Sequence, residues 1–201
     1  LPRRMFAAAD MSFPALLLPG RQATRTSRIA GVTHKAGRSG DLILVEVEHE
    51  IEQAGQVRVR ERRTIVDRDA GTPTPSVIPI EQAPATGAVT WLPGTVDLFR
   101  FSAVTFNSHR IHYDLPYAVA AEGYRGLVVQ GPLTATLLLD LAPRAHGVHR
   151  IARFSFRGQS PAIADYPLPL HVRTDSAPTP PHTPHPPRPS QTAHPTTSPR
   201  H

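Results

Sequence analysis

The chain contains no cysteine among its 201 residues. This absence excludes disulfide bonds, thiolate metal sites and a cysteine nucleophile, and it fits a reducing compartment such as the cytoplasm. Long apolar runs are also absent, because the longest, at residues 13–19 and 133–142, are far shorter than the roughly 20 residues of a membrane helix. We therefore expect no transmembrane segment and no membrane partner, and we expect the chain to act in the cytoplasm.

Aromatic residues are scarce, at 6% of the chain, whereas the formal charge of +6 and the isoelectric point near 10.7 are strongly basic. Clustered arginine and lysine bind nucleic-acid phosphates by releasing counterions, and single-strand binders add aromatic side chains that stack on bases. Here the arginines are scattered from Arg3 to Arg200 without interleaved aromatics. We therefore expect no nucleic-acid partner. The basic charge would equally suit a phosphate-bearing small molecule or an acidic protein.

Residues 25–69 have the pattern of antiparallel strands. Residues 41–51 alternate between two faces, Gly55 marks a turn, and apolar residues within 56–66 stand among charged ones. This pattern predicts a hairpin with one face in solvent. Residues 70–93 are rich in proline and have few periodic positions, which predicts a linker.

A second structured part is predicted at residues 94–173. Residues 95–104 have the composition of a strand, residues 105–114 that of an irregular polar loop, and residues 116–121 that of a short helical turn. Gly131 and Pro132 predict the start of a helix buried on most sides, because nearly every following residue is apolar. Further strands are expected within residues 149–156 and 162–172.

The last part, residues 174–201, consists almost entirely of proline, histidine, threonine and serine. Such a segment cannot bury enough apolar surface to offset its ordering entropy, so we expect a disordered tail. A second interpretation, which the composition disfavours, is a metal-binding tract formed by the histidines His182, His185, His194 and His201.

The centre of the second part carries a long motif. Residues 99–114 read FRFSAVTFNSHRIHYD, residues 116–118 and 122–124 follow with PYA and EGY, and residues 126–140 read GLVVQGPLTATLLLD. This order of residues resembles the MaoC-like hydratases and dehydratases, within the branch of mesaconyl-CoA and itaconyl-CoA hydratases and fungal-type mitochondrial 3-hydroxyacyl-thioester dehydratases. With an earlier similarity at residues 3–6 and 27–50, the resemblance spans residues 3–166.

This resemblance implies an α+β hotdog fold, in which an antiparallel sheet wraps around a long central helix. Residues 1–69 would be the C-terminal part of a first hotdog unit, and residues 94–173 would be a second unit that lacks its last strands. The chain thus looks like a fragment of a double-hotdog protein, with the front of the first unit missing. Lost strand pairing would expose apolar surface, which puts stable folding and activity in question.

The same resemblance assigns the chemistry. Adding water to an unsaturated thioester requires a base for the water proton, a proton for the α-carbon and stabilisation of the enolate. The resemblance puts the base at His112, whose imidazole titrates in the useful range. Asn107 stands where many relatives have aspartate. Because an amide does not exchange protons as a carboxylate does, we assign Asn107 to holding water or substrate by hydrogen bonds, and His112 would handle both proton steps.

Stabilisation of the enolate is assigned to the start of the predicted helix. Unpaired amides at a helix N-terminus favour an anion, and Pro132 has no N–H, so Gly131 is the candidate. Asp114 either orients His112 or caps the next helical turn. Gln130 replaces the histidine usual in the family and would alter the fit of the acyl group. The residues assigned to substrate binding are Tyr113, Asp114, Gln130 and Leu133.

Each main assignment has a plainer interpretation. His112 would be a structural hydrogen-bonding residue of a polar loop, and Asn107 would be an ordinary turn residue. The pair Gly131 and Pro132 would start a helix in any protein. The length of the motif favours the catalytic interpretation of His112.

The predicted function is that of a hydro-lyase. It would reversibly hydrate or dehydrate an acyl thioester of coenzyme A or acyl carrier protein, with mesaconyl-CoA as one candidate substrate. No metal and no redox cofactor are expected, and the resemblance implies a homodimer. One alternative is a non-catalytic remnant that binds acyl thioester or a partner subunit. A hotdog thioesterase is another, disfavoured because the spacing from Asn107 to His112 is that of hydratases.

Overall fold

The computed structural model describes residues 3–37, 40–69, 89–146, 150–171 and 192–196. The strands are β1 (Arg3–Ser12), β2 (Thr24–Gly37), β3 (Gly40–Gln53), β4 (Gln56–Arg68), β5 (Val89–Trp91), β6 (Arg153–Arg157), β7 (Leu168–Leu170) and β8 (Thr192–Thr196). The helices are α1 (Thr95–Thr105), α2 (Leu115–Ala120) and α3 (Gly131–His146). No helix in this part of the chain is long and apolar enough to cross a membrane.

The chain divides into two compact units. One unit contains β1–β4, β6 and β8 in an antiparallel sheet ordered β2-β3-β4-β1-β6-β8. The other unit contains α1, α2, nearly all of α3, and the two-stranded antiparallel sheet of β5 and β7. The residues of the central motif all belong to this second unit.

The predicted hairpin around Gly55 is confirmed. Ala54 and Gly55 form the two-residue turn between β3 and β4, with φ of 49° and 72°, which are the left-handed values that a tight hairpin turn requires. The register brings opposite charges face to face across the two strands. Glu50 pairs with Arg60 at 2.9 Å, and such cross-strand pairs help to fix the register.

The alternation at residues 149–156 corresponds to β6, but its partner differs from the expectation. We expected this strand in the second unit, whereas β6 pairs with β1 in the sheet of the first unit. Phe154 and Phe156 are its buried side chains, and the ring of Phe156 stacks on Phe6 at 5.8 Å. The alternating pattern identifies a strand with one buried face, but it does not identify the neighbouring strand.

Residues 192–196 differ from the disorder expected for the tail. They form β8, which pairs with the edge of β6, where unpaired backbone groups are available to a further strand. The rest of the expected tail, residues 174–191 and 197–201, lies outside the described residues. The same holds for residues 70–88 of the expected linker, and residues 89–91 form β5.

The predicted strand at residues 95–104 is wrong, because this segment is the helix α1. Its β-branched and aromatic residues favour a strand by composition, but the local capping favours a helix. The side chain of Asp97 accepts from the N–H of Gly94 at 3.0 Å and so caps the helix N-terminus. Leu98 and Ser102, four residues apart on one helix face, are buried.

The other two helices occur where the sequence predicts them. The expected turn at residues 116–121 is α2, and Gly131 begins α3. However, α3 is buried along one stripe and not on most sides. Thr134, Leu138 and Ala142 are buried at four-residue spacing, whereas a second stripe is exposed and ends in an ion pair between Asp140 and Arg144 at 2.8 Å.

The core of the second unit connects the central motif to the chain after α3. Val128 forms an isolated antiparallel bridge with Ile163, and both side chains are buried. Leu98 of α1 and Ala118 of α2 belong to the same apolar cluster. Gly126 lies beside this bridge, where a Cβ atom would come within 2.9 Å of Cγ2 of Ile163. The core therefore leaves no room for a side chain at residue 126.

Gly126→Ala is expected to destabilise the protein by about 1–3 kcal/mol, because Ile163 must shift within a packed core. The measurement is the free energy of unfolding in urea. Gly158→Ala is the matched control, since its nearest non-neighbouring atom, the carbonyl oxygen of Ala7, is at an ordinary 3.6 Å. Equal stability of Gly126→Ala and Gly158→Ala would contradict the packing at this site.

Candidate active site

A short loop after α1 carries the first candidate residues. Phe106 ends α1 with a left-handed φ of 52°, and the N–H of Asn107 donates to the carbonyl of Ser102 at 2.9 Å. The side-chain oxygen of Asn107 accepts from the N–H of His109 at 3.1 Å, which leads the chain into a 3₁₀ turn, Arg110–His112. The interpretation of Asn107 as a turn residue is confirmed, and its contact with substrate stays a prediction.

His112 is buried at the end of this 3₁₀ turn, with 7% of its surface exposed. Its Nδ1 lies 2.7 Å from the carbonyl oxygen of Val128. Since a carbonyl oxygen only accepts hydrogen bonds, Nδ1 is the nitrogen that carries the proton. In the neutral ring, Nε2 therefore has the lone pair that can take a proton from another molecule.

Burial lowers the pKa of His112 from its ordinary value of 6.5 to about 4, because an imidazolium is poorly solvated inside the protein. The hydrogen bond to Val128 opposes this shift, and the nearby His109 adds to it. The ring is consequently neutral at neutral pH. A neutral imidazole with a fixed tautomer is the form that a general base requires.

A second group of polar side chains lies beside His112. The rings of His109 and His112 meet edge to face, with centroids 5.6 Å apart. Nε2 of His109 lies 3.9 Å from Oε1 of Glu122, a buried carboxylate that accepts a hydrogen bond from the Tyr117 hydroxyl at 3.2 Å. The proximity of His109 and Glu122 is not predicted from the sequence, because no periodic pattern connects the two residues. The available signal was the EGY segment of the motif, which contains Glu122.

Gln130 precedes α3 and is almost completely buried. Its Nε2 donates to the carbonyl of Leu98 and to Oγ of Ser102, both at 2.9 Å, so the side chain is held by α1. Its backbone carbonyl accepts from the N–H groups of Leu133 and Thr134 in the first turn of α3. Among the described residues, Oε1 has no hydrogen-bond partner. Gln130 therefore presents a buried acceptor next to the start of the helix.

Gly131 is the first residue of α3, as the sequence predicts. Within the described part of the chain, its N–H has no backbone acceptor, and the following Pro132 has no N–H. Leu133 is partly buried and packs against the apolar core of the unit. Among the described residues, the N–H of Gly131 thus lacks a backbone acceptor, and Oε1 of the adjacent Gln130 lacks a hydrogen-bond donor. In the described ranges, no group of three or more histidine, aspartate or glutamate side chains is arranged to hold a metal ion.

Tyr113 and Asp114 contact the surrounding loop and not His112. The Tyr113 side chain is exposed, and its hydroxyl donates to the carbonyl of Ser108 at 2.8 Å. Asp114 accepts from the N–H of Tyr117 at 3.1 Å, so it caps α2. The same carboxylate pairs with Arg110 at 2.6 Å, which lowers the pKa of Asp114. Of the two predicted roles of Asp114, capping is confirmed.

Comparison with known families identifies one that covers most of the chain. The family model of hydroxyacyl-thioester dehydratase type 2 matches residues 1–164. Mesaconyl-C(4)-CoA hydratase of Chloroflexus aurantiacus is 47% identical over 174 residues, which are 86% of this chain and 62% of that protein. The mitochondrial hydroxyacyl-thioester dehydratase type 2 of Schizosaccharomyces pombe is 38% identical over 82 residues, 40% of this chain and 27% of that protein. The chain thus spans less than two thirds of either relative.

Solved structures share the fold. HtdX of Mycobacterium tuberculosis superposes with a TM-score of 0.67 at 18% identity, over 86% of this chain and 67% of that chain. A second M. tuberculosis protein, described as having a double hotdog fold, superposes with a TM-score of 0.58 at 12% identity, over 82% of this chain and 61% of that chain. The predicted hotdog architecture of the α+β class is therefore confirmed.

The lowered pKa of His112 predicts a loss of stability in acid. In the unfolded chain the ring is protonated below its ordinary pKa of 6.5, whereas in the folded protein it stays neutral down to about pH 4. Protons therefore favour the unfolded state between these values. Wild type should lose about 2–3 kcal/mol more stability between pH 7 and pH 4.5 than His112→Asn, which has no ring to titrate.

The measurement for this prediction is the urea unfolding free energy of both proteins at the two pH values. Titration of carboxylates affects both proteins alike and cancels in the difference. An equal stability loss in wild type and His112→Asn would mean that burial does not hold His112 neutral.

Proposed function

The chain belongs to the hydroxyacyl-thioester dehydratase type 2 family, and on that basis we propose that it reversibly hydrates and dehydrates an acyl thioester. The observation that supports this most directly is the state of His112. Its Nδ1 proton is committed to the Val128 carbonyl, and its pKa lies well below neutrality. A base with one free nitrogen, Nε2, is what removal of a proton from water requires.

In the proposed hydration, the water oxygen bonds to the β-carbon while Nε2 of His112 takes a proton from that water. The electrons of the double bond move through the α-carbon towards the thioester carbonyl, and an enolate oxygen develops negative charge. The N–H of Gly131, at the positive end of α3, donates to that oxygen. Protonation of the α-carbon completes the 3-hydroxyacyl thioester, and dehydration follows the same steps in reverse.

The remaining site residues take supporting roles in this proposal. Oε1 of Gln130 is a buried acceptor and suits a hydroxyl or amide donor of the substrate. Leu133 contributes apolar surface for the acyl chain, and Asn107 holds the water or substrate through its side-chain amide. Substrate contacts of Tyr113 and Asp114 are part of the same proposal, although their present partners are Ser108 and Arg110.

The substrate class follows from the relatives and remains part of the proposal. A relative named for mesaconyl-C(4)-CoA shares nearly half of the aligned residues, which supports a coenzyme A thioester of a short, branched, unsaturated acid. A thioester of acyl carrier protein is the alternative substrate. We further propose a cytoplasmic homodimer, by resemblance to the family.

His112→Asn is expected to slow the turnover of crotonyl-CoA and mesaconyl-CoA strongly, measured as the loss of enoyl-thioester absorbance. The asparagine Nδ2 can still donate to the Val128 carbonyl, but no group remains at the position of Nε2, so a loss of about 10²–10⁴-fold is predicted. His171→Asn is the matched control, since His171 is exposed and outside the site. Retained activity of a folded His112→Asn protein would refute the proposed base.

Gly131→Pro is expected to lower kcat by about 10²–10³-fold, because it removes the N–H that faces the developing enolate oxygen. Proline is tolerated in the first turn of a helix, so α3 should still form. Gly131→Ala keeps the N–H and is the matched control. Similar kcat values for Gly131→Pro and Gly131→Ala would exclude this N–H as the enolate donor.

A further inference from the structure

In the proposed hydration, the α-carbon must receive a proton. Asn107 has an amide side chain, and its side-chain oxygen is engaged by the N–H of His109. An amide does not deliver a proton at neutral pH. His112 cannot be oriented by a carboxylate through Nδ1 either, because the Val128 carbonyl occupies that nitrogen. A second proton-carrying group beside His112 would allow the α-carbon to be protonated while His112 still holds the proton taken from water.

Glu122 is the buried carboxylate of this region. Its side chain is 5% exposed, and Oε1 accepts from the Tyr117 hydroxyl at 3.2 Å and lies 3.9 Å from Nε2 of His109. The backbone N–H of Glu122 donates to the carbonyl of Tyr117 at 3.2 Å, which ties the main chain at Glu122 to α2. A buried carboxylate is costly unless a cation or donors face it. The Tyr117 hydroxyl is one such donor, and a protonated His109 would add a cation.

His109 stands between Glu122 and His112. Its ring is nearly perpendicular to that of His112, at 83°, with 5.6 Å between the centroids. With Nε2 directed at Glu122, the other ring nitrogen, Nδ1, has no hydrogen-bond partner among the described residues. His109 is also less buried than either neighbour, at 29% side-chain exposure, so it can exchange protons with solvent.

We propose that His109, paired with the carboxylate of Glu122, is the second proton-transferring residue of the site and donates to the substrate α-carbon the proton that Asn107 does not carry. This inference rests on the proposed function and replaces the expectation that His112 alone handles both proton steps. Glu122 is a positioning residue in this arrangement, since it acts through His109.

The protons balance over one hydration. His112 gains a proton from water as the oxygen–carbon bond forms, and protonated His109 loses its Nδ1 proton to the α-carbon as the enolate collapses to the thioester. After these two transfers, His112 is protonated and His109 is neutral. His112 releases its proton to solvent and His109 takes one from solvent, so the net change is the addition of one water molecule to the double bond.

Burial and Glu122 act on His109 in opposite directions. Burial lowers the pKa of His109 below its ordinary value, and the carboxylate of Glu122 opposes this shift because it favours the protonated ring. Protonated His109 in turn disfavours a proton on His112, so His112 stays unprotonated while His109 holds its proton. Arg110, on the same turn, is paired with Asp114 at 2.6 Å and lies over the Tyr117 ring, so its charge is balanced locally.

The kinetic test is the pH profile of kcat/KM for the full chain with crotonyl-CoA. The His109→Gln variant should be slower than wild type by about 100-fold or more. Its profile should also lack the alkaline limb, which is the fall in kcat/KM at high pH, because no group remains that must be protonated. Glu122→Gln should keep that limb but move it to lower pH, since the charge that favours protonated His109 is gone. His171→Gln should match wild type. A His109→Gln profile that keeps the alkaline limb, or a rate within threefold of wild type, would overturn the proposal.

A titration of the histidine rings by NMR tests the pair without turnover. His109→Gln should raise the pKa of His112, and Glu122→Gln should lower the pKa of His109. If neither pKa moves, the pair does not exist and the inference is overturned. Coupled titration in a folded chain that shows no turnover would contradict the proposed function and leave the His109–Glu122 pair supported.

Discussion

The hydrogen bond from Nδ1 of His112 to the carbonyl of Val128 is the interaction on which the candidate site depends. Val128 is itself held on both sides. Its N–H donates to the carbonyl of Ile111 at 2.9 Å, and it forms a β-bridge with Ile163. A single bond thereby selects the tautomer of His112, determines which nitrogen is free, and ties the ring to the backbone of the core. Without it, a buried carbonyl and a buried imidazole would both lack a partner.

The same segment of the chain connects the base to the start of α3. Gln130 and Gly131 come two and three residues after Val128, and the Gln130 side chain is fastened to Leu98 and Ser102 of α1. Ser102 in turn accepts from the N–H of Asn107, at the head of the loop that leads to His112. The proposed base and the proposed enolate donor are thus held by one connected network of hydrogen bonds. Such preorganisation is what acid–base chemistry on a thioester needs.

The features that could be predicted from the sequence are those that depend on a few neighbouring residues. The turn at Gly55 and the helix start at Gly131 and Pro132 depend on backbone preferences of a few neighbouring residues, and both are confirmed. His112 was identified through the motif, and its environment suits a base. The α1 segment was assigned wrongly because its β-branched and aromatic residues outweighed the Asp97 cap. The partner of β6 and the approach of Glu122 to His109 depend on tertiary contacts, which no short sequence window contains.

¹⁵N NMR of the His112 ring shows whether it is a neutral imidazole with its proton on Nδ1. For the full chain at pH 7, we expect a protonated Nδ1 coupled to a slowly exchanging proton and an unprotonated Nε2. This pattern should persist to well below pH 6, in keeping with a pKa of about 4. A proton on Nε2, or ordinary titration near pH 6.5, would rule out His112 as the proposed base, because the nitrogen assigned to accept the water proton would then not be available.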